Sequence, residues 1–238
     1  MDPRGLILTN YHLIADPWTK TPYNQANRVE IGALCRLQRL LGDRRVPAPL
    51  RAALAQVVSR NLREMATLGG LVGSRYVHSD VIPMLVALDA KLVLAGPGGA
   101  RTVRVADHAA KPVPGLITRV LVPKPPAGRV AACRAIRASG NGRSIASAAV
   151  SATLSRGVLR SPIVAVGGMA RSVLRLASVE RALAGRPLPP LDEVHALASR
   201  AVRPGASLEG SAAFRRHEAG AAVALAFRDA LARKGARP

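Results

Sequence analysis

The sequence predicts an α+β fold, a mixed domain followed by a three-stranded antiparallel sheet with a helical bundle. Three observations predict it. From Leu50 to Met65, apolar residues recur at three- and four-residue steps, the period of an amphipathic helix. Around Gly96-Pro97-Gly98-Gly99 the pattern changes to the apolar run and alternation of a β-hairpin. Lys124-Pro125-Pro126-Ala127-Gly128 then breaks both periodicities and reads as a linker. It places one domain at residues 1–123 and a second at 129–238.

Taken in order, residues 1–45 are the least regular, with Pro3, Pro17, Pro22 and Trp18, and a short strand at Val29–Ile31. One helix is expected from Pro49, with Leu50, Leu54, Val57, Val58, Leu62 and Met65 on its apolar face, stopping at Gly69-Gly70 and Gly73. A second helix starts at Ser79-Asp80, where either side chain can cap free N–H groups, and Pro83 is tolerated in its first turn. Lys91–Ala95 and Thr102–Val105 form the hairpin, and Leu116–Val122 is a further strand. Beyond the linker, Val130–Ile136, Ile145–Leu154 and Ile163–Val166 read as strands. Three helices follow: Ser178–Ala184 closed by Gly185 and Pro187, Leu191–Val202 closed by Pro204, and Ser211–Lys234 closed by Gly235.

Hydrophobic residues make up 49% of the chain but aromatics only 3%, so the core is built from Ala, Val and Leu, and the aliphatic content speaks for a folded globule. The net charge of +21 raises nucleic acid, an anionic membrane or an acidic protein as partners. The charge is nearly all arginine, scattered rather than gathered into a stripe or tail, which favours docking on an acidic partner subunit over nucleic-acid binding. Cys35 and Cys133 are far apart and form no CxxC, so no zinc or iron–sulfur site and no disulfide framework is expected from this chain. The short apolar run Leu6-Ile7-Leu8 is no signal peptide, and no window is long enough to span a membrane; the chain reads as cytoplasmic.

Among the motifs, Ala66-Thr67-Leu68-Gly69-Gly70-Leu71 is the most suggestive, because paired glycines let the backbone approach a phosphate or a flat ring. A plain turn explains such a pair equally well, and no GxGxxG or Walker pattern accompanies it. His78-Ser79-Asp80 contains triad residue types, but sequence neighbours point different ways and form no relay. The five histidines show no metal-ligand spacing. Asp192-Glu193 suits the dipole at a helix start, and Arg215-Arg216 could grip a partner's carboxylate but reads rather as a solvated helix face.

The order of the motifs carries a resemblance. Arg63, Ala66, Thr67, Gly69, Gly70, Ser79, Asp80, Pro83, Leu85, Ala87, Leu88, Ala90, Val93 and Leu94 fall in register with "R-N-x-A-T-I-G-G-N" and "S/A-D-x-x-P-x-L-x-A-L-x-A-x-V-x-L". These patterns belong to the flavin subunit of molybdenum hydroxylases, the carbon monoxide dehydrogenase and xanthine dehydrogenase family. Ile31-Gly32-Ala33 resembles its "I-G-A", and Gly115–Pro123 its "G-E-L-L-T-x-I-x-x-P". Val164–Met169, Ala184–Leu188 and Gly210–Arg216 resemble its "R-I-A-L-G-G-V", "A-L-x-G-K-P-L" and "G-S-A-E-Y-R-R".

The resemblance implies the second half of a two-subdomain FAD-binding domain, followed by the family's C-terminal domain. It implies an oxidoreductase subunit that takes electrons from a 2Fe–2S small subunit, fed by a molybdopterin-binding large subunit, through FAD to NAD or another acceptor. No residue of this chain is expected to act on the organic substrate, and no metal is expected in it. Thr67, Gly69, Gly70, Ser79 and Asp80 match the positions of the family's cofactor contacts. Two departures stand out. Before residue 40 the only glycines are Gly5 and Gly32, so nothing matches the family's early "A-G-G-T/Q-x-L" loop, and the first flavin subdomain is expected to be largely missing. Leu71 replaces the family's Asn. Weak FAD binding, completion of the site by a partner, and a flavin-free structural or assembly subunit all remain open from the sequence.

Overall fold

The computed structural model describes residues 24–25, 27–57, 59–140 and 142–235. The first sheet contains β1 (Asn24–Gln25), β2 (Arg28–Gly32), β3 (Lys91–Gly96), β4 (Gly99–Arg104) and β5 (Leu116–Pro123), in the order β1-β2-β5-β3-β4. Every pairing is antiparallel, and Val120 of β5 faces Ile31 on one side and Leu92 on the other. The second sheet contains β6 (Arg129–Arg137), β7 (Ser144–Ser155), β8 (Val158–Gly167) and β9 (Leu174–Arg175), also antiparallel and in chain order.

Around the first sheet lie α1 (Leu37–Gly42), α2 (Ala48–Ala55), α3 (Arg60–Met65), α4 (Leu68–Gly73), α5 (Val81–Ala87) and α6 (Val105–Ala110). On the second sheet lie α7 (Ala177–Leu183), α8 (Leu191–Ala201) and α9 (Ala212–Gly235). The α+β class is as expected, and the hairpin and the strands on either side of the linker fall where the patterns put them. The start of the chain, including Pro3, Pro17, Trp18 and Pro22, lies outside the described residues.

Five elements differ from expectation. The single helix through residues 49–65 is two. Gln56 ends the first by turning its carboxamide to the Cys133 carbonyl at 3.2 Å, and Ser59 caps the second by accepting from the Leu62 N–H. Leu62 and Met65 consequently point outward, 57% and 79% exposed. Gly69-Gly70 does not end a helix but sits inside the first turn of α4, with Thr67 as its cap. The second sheet gains β9, two residues long, and α1 and α6 are single short turns without a marked period.

Helix α5 ties the two sheets together. All seven of its residues are buried, and the face of β7 beneath it carries only small side chains. Ser147 donates to the Ser79 carbonyl at its start, and Ser151 donates to the Ala87 carbonyl at its end. These hydroxyls satisfy backbone oxygens that burial would otherwise leave orphaned. The opposite face of β7, with Ala146, Ala148, Val150 and Ala152, packs with Phe227 and Val223 of α9 in a separate core. Period-two alternation thus sends one strand's side chains into two different cores.

Arg215 corrects the reading of Arg215-Arg216 as a solvated face. It is 8% exposed, and its guanidinium donates to the Gly168 and Gly205 carbonyls, holding the loop after β8 and the loop before α9 to one another. Arg216 is exposed.

Candidate functional site

The two motifs Ile31-Gly32-Ala33-Leu34 and Thr67-Leu68-Gly69-Gly70 meet in space. Past the end of β2, the Leu68 N–H donates to the Cys35 carbonyl at 3.0 Å and the Gly69 N–H to the Ala33 carbonyl at 2.7 Å. Gly69 is pressed against Ala33 so closely that a Cβ on it would lie 2.5 Å from the Ala33 Cβ. Its lack of a side chain is therefore a packing requirement. Gly70 is exposed, and its N–H donates to Thr67 Oγ1 at 3.2 Å.

Beside this turn opens a cavity of ≈ 460 Å³. Ala66 and Leu71, which flank the Thr67–Gly70 turn, form one wall; Tyr76, His78, Ser79 and Asp80 form a second; Arg137 and Gly142–Ser144 close it from the β6–β7 hairpin. Of the five site residues expected from the sequence, Ser79 and Asp80 line the cavity; Thr67, Gly69 and Gly70 are not among its lining residues, and Gly69 is pressed onto Ala33. Ser79 Oγ accepts the Val81 and Ile82 N–H groups, both at 3.2 Å, so its hydroxyl oxygen is committed to α5.

Asp80 is 7% exposed and bound on both oxygens. The Ser144 hydroxyl donates to Oδ1 at 2.6 Å, and Arg137 Nη2 donates to Oδ2 and also to the Gln56 carbonyl at 2.7 Å. Burial pushes the Asp80 carboxyl above its ordinary value, while the Ser144 hydrogen bond and the Arg137 charge pull it back. His78 Nδ1 lies 2.8 Å from the Ser144 carbonyl; a carbonyl can only accept, so this nitrogen carries the hydrogen. On the rim, Arg143 pairs with Glu209, whose carboxyl the Ser207 hydroxyl holds below the usual range.

Arg137, Arg143, Ser144 and Tyr76 are cavity residues that the sequence did not single out. Nothing local marks them: Arg137 is 57 residues from Asp80 and one arginine among many. Among the described residues no group of three or more His, Cys, Asp or Glu is placed to hold a metal ion, and no helix is long and apolar enough to cross a membrane.

The donor set fits a flavin. Leu71 and Tyr76 offer apolar surface for a flat ring, and Arg137 Nε, buried and without a hydrogen-bond partner among the described residues, is a spare donor beside the Asp80–Arg137 and Glu209–Arg143 ion pairs.

Residues 20–125 match the model of the FAD binding domain in molybdopterin dehydrogenase, and residues 131–230 match that of the CO dehydrogenase flavoprotein C-terminal domain. The chain is 36% identical over 202 residues to the uncharacterized protein YgfM of Escherichia coli K12, covering 84% of this chain and 72% of that protein. It is 29% identical over 216 residues to the carbon monoxide dehydrogenase medium chain of Afipia carboxidovorans, covering 86% and 75% respectively. Among solved structures, the reconstituted CO dehydrogenase of Oligotropha carboxidovorans superimposes with a TM-score of 0.81 at 28% identity, covering 88% of this chain and 77% of that one.

Proposed function

Because this chain belongs to the family of FAD-binding medium subunits of molybdenum hydroxylases, we propose that it is the FAD-holding subunit of a molybdopterin-dependent hydroxylase or dehydrogenase. Its partners in this reading are a molybdopterin-binding large subunit and a 2Fe–2S small subunit. When bound, FAD supplies the redox chemistry by which electrons from the 2Fe–2S subunit pass to NAD or another acceptor.

In this reading residues 1–123 hold most of the cofactor, Arg137 and Ser144 complete its cavity from the second domain, and the helices of residues 129–238 dock to the other subunits. Thr67 caps the turn by accepting the Gly70 N–H, and Gly69 fixes that turn onto Ala33 at the end of β2. Asp80 offers its carboxylate to the cofactor's hydroxyls, and Ser79 acts by placing Asp80 at the start of α5. The excess of arginine serves docking on acidic subunits.

The observation that carries this reading is the Asp80 carboxylate, buried yet on the cavity wall and fixed by one side chain from each end of the β6–β7 hairpin, Arg137 and Ser144. The test is the visible absorption spectrum of the purified chain, with released cofactor identified after denaturation. The expected result is a flavin spectrum near one FAD per chain, weakened in Asp80→Ala and Gly70→Val. A colourless protein that takes up no added FAD, alone or with its partner subunits, would defeat the reading.

A second reading, a flavin-free structural or assembly subunit, is favoured by one specific feature. The N–H groups of Leu68, Gly69 and Gly70 are already bonded to Cys35 O, Ala33 O and Thr67 Oγ1, and Leu71 is apolar. The turn itself therefore has few donors left for a pyrophosphate. The same spectrum separates the two readings.

A further inference from the structure

A second cavity, of ≈ 320 Å³, lies at the other end of α5, where the proline-rich connection leaves the first sheet. Two of its residues hold left-handed backbone although neither is glycine: Asp89 at φ 52° and Ser161 at φ 46°. Each has a local origin. Asp89 follows α5, and beyond it the Ala90 N–H reaches back to the Leu85 carbonyl at 2.9 Å, the closure that a glycine usually provides. Ser161 and Pro162 form a bulge in β8, where the pairing jumps from Thr153↔Arg160 to Ser151↔Ile163. A bulge suits proline, which has no N–H for the ladder, and such bulges often re-aim side chains beside sites.

The charge in this cavity is not balanced. Arg175 is bidentate on Glu180, at 2.8 and 2.9 Å, and Asp89 pairs with Arg104 at 3.8 Å. That leaves Lys124 and Arg129, which make no direct ion pair among the described residues, although the Asp89 charge acts on Arg129 from across the cavity. Arg129 is half-buried, and its Nη2 donates to Ser151 Oγ at 2.7 Å. The Ser151 hydroxyl is oriented in turn by its bond to the Ala87 carbonyl. A guanidinium carries five N–H donors in a planar fork that matches an oxyanion. Held by this one bond beside Leu88, Ile163 and the prolines, it faces apolar wall, with Asp89 the one acid among the lining residues.

We propose that this cavity binds a small organic carboxylate with a compact apolar body. The carboxylate pairs with Arg129 and Lys124, and the body rests on Leu88, Ile163 and Pro125-Pro126. The volume is at the small end of the range for small-molecule sites, roughly 300–1,000 Å³, which suits a ligand the size of benzoate. Arginine rather than lysine at the inner position favours planar, bidentate recognition.

The experiment is calorimetric titration of the full chain with sodium benzoate, and separately with inorganic phosphate, in a buffer free of carboxylates. Wild type is expected to bind benzoate saturably at one site. Arg129→Gln should lose at least tenfold in affinity and Lys124→Gln severalfold, while Arg216→Gln on the surface of α9 should match wild type. Lys124 is exposed, so its variant decides the matter if Arg129→Gln does not fold. Absence of saturable benzoate binding, or binding indifferent to both Lys124→Gln and Arg129→Gln, overturns the proposal. Phosphate binding more tightly than benzoate overturns the carboxylate assignment, as does a cavity that takes only the acidic side chain of a partner subunit. The readout needs no flavin, so a colourless protein that takes up no added FAD, alone or with its partner subunits, yet binds benzoate here would sink the flavin reading and leave this one standing.

Discussion

Replacing Gly69 by alanine tests whether the Gly-Gly turn is a packing joint. The added Cβ would lie 2.5 Å from the Ala33 Cβ and 2.9 Å from both the Ala33 Cα and carbonyl oxygen. Two of those three atoms are backbone at the end of β2, which is hydrogen-bonded to β5 along its length, so no side-chain rotation relieves the contact. Alanine in place of glycine favours a helix by about 1 kcal/mol, and overpacking of this kind costs about 1–3 kcal/mol. With backbone as the obstacle, the upper end applies and the net loss is about 1–2 kcal/mol. For a chain of this size that lowers Tm by about 2–8 °C. Gly70→Ala is the control, because its Cβ would meet the Thr67 hydroxyl at 2.9 Å, the end of a side chain that can turn. The assay is thermal unfolding of both variants with and without FAD, and of Gly69→Ala combined with Ala33→Gly, which removes the closest contact and should recover part of the loss. A Gly69→Ala protein as stable as wild type, or one no less stable than Gly70→Ala, would refute the packing argument.

Asp80 has a folded-state value raised by burial, so its contribution to stability is greatest below the unfolded carboxylate range and falls as pH rises through the raised value. Urea unfolding of wild type and Asp80→Asn between pH 4 and 7 should therefore show wild type gaining relative to the variant on acidification. His108 is depressed by burial and then by Arg75, and its neutral Nδ1 accepts the Val113 N–H at 3.2 Å. Its contribution is present above an unfolded value of about 6.5 and is lost as pH falls through the depressed one, so His108→Gln should flatten the stability profile on the acid side. Arg215→Ala leaves the buried Gly168 carbonyl without its donor and should cost about 1–3 kcal/mol, whereas Arg216→Ala should stay within about 0.5 kcal/mol of wild type in the same unfolding assay.

Legibility followed the range of each signal. The hairpin about Gly96–Gly99, the strand after Gly115 and the cap at Ser79 were readable because turn chemistry, period-two alternation and capping act between residues a few positions apart. The helix that should have run from Pro49 to Met65 shows the limit. Its three- and four-residue spacing continues through Val57 to Leu62, but Ser59 offers a capping oxygen and Gln56 finds a carbonyl 77 residues away. The tertiary partner outweighs the period. Strand β9, at two residues, carries no pattern to read, and it forms because β8 presents an edge to it.

The site divides in the same way. Thr67, Gly69, Gly70, Ser79 and Asp80 could be named from residue order, because the motifs lie within one stretch of chain whose spacing resembles a known family. What each residue does was decided by contacts that no spacing encodes. Ala33 takes up the Gly69 position, α5 takes the Ser79 hydroxyl, and Arg137 and Ser144 turn Asp80 into a fixed buried carboxylate. The sequence by itself determined the class of fold and the family, since these rest on local conformational preferences and ordered motifs. Only the tertiary structure decided which arginines are buried, which of the candidate residues face a cavity, and where charge is left uncompensated, because burial and ion pairing arise when segments distant in the chain are brought together and water is excluded between them.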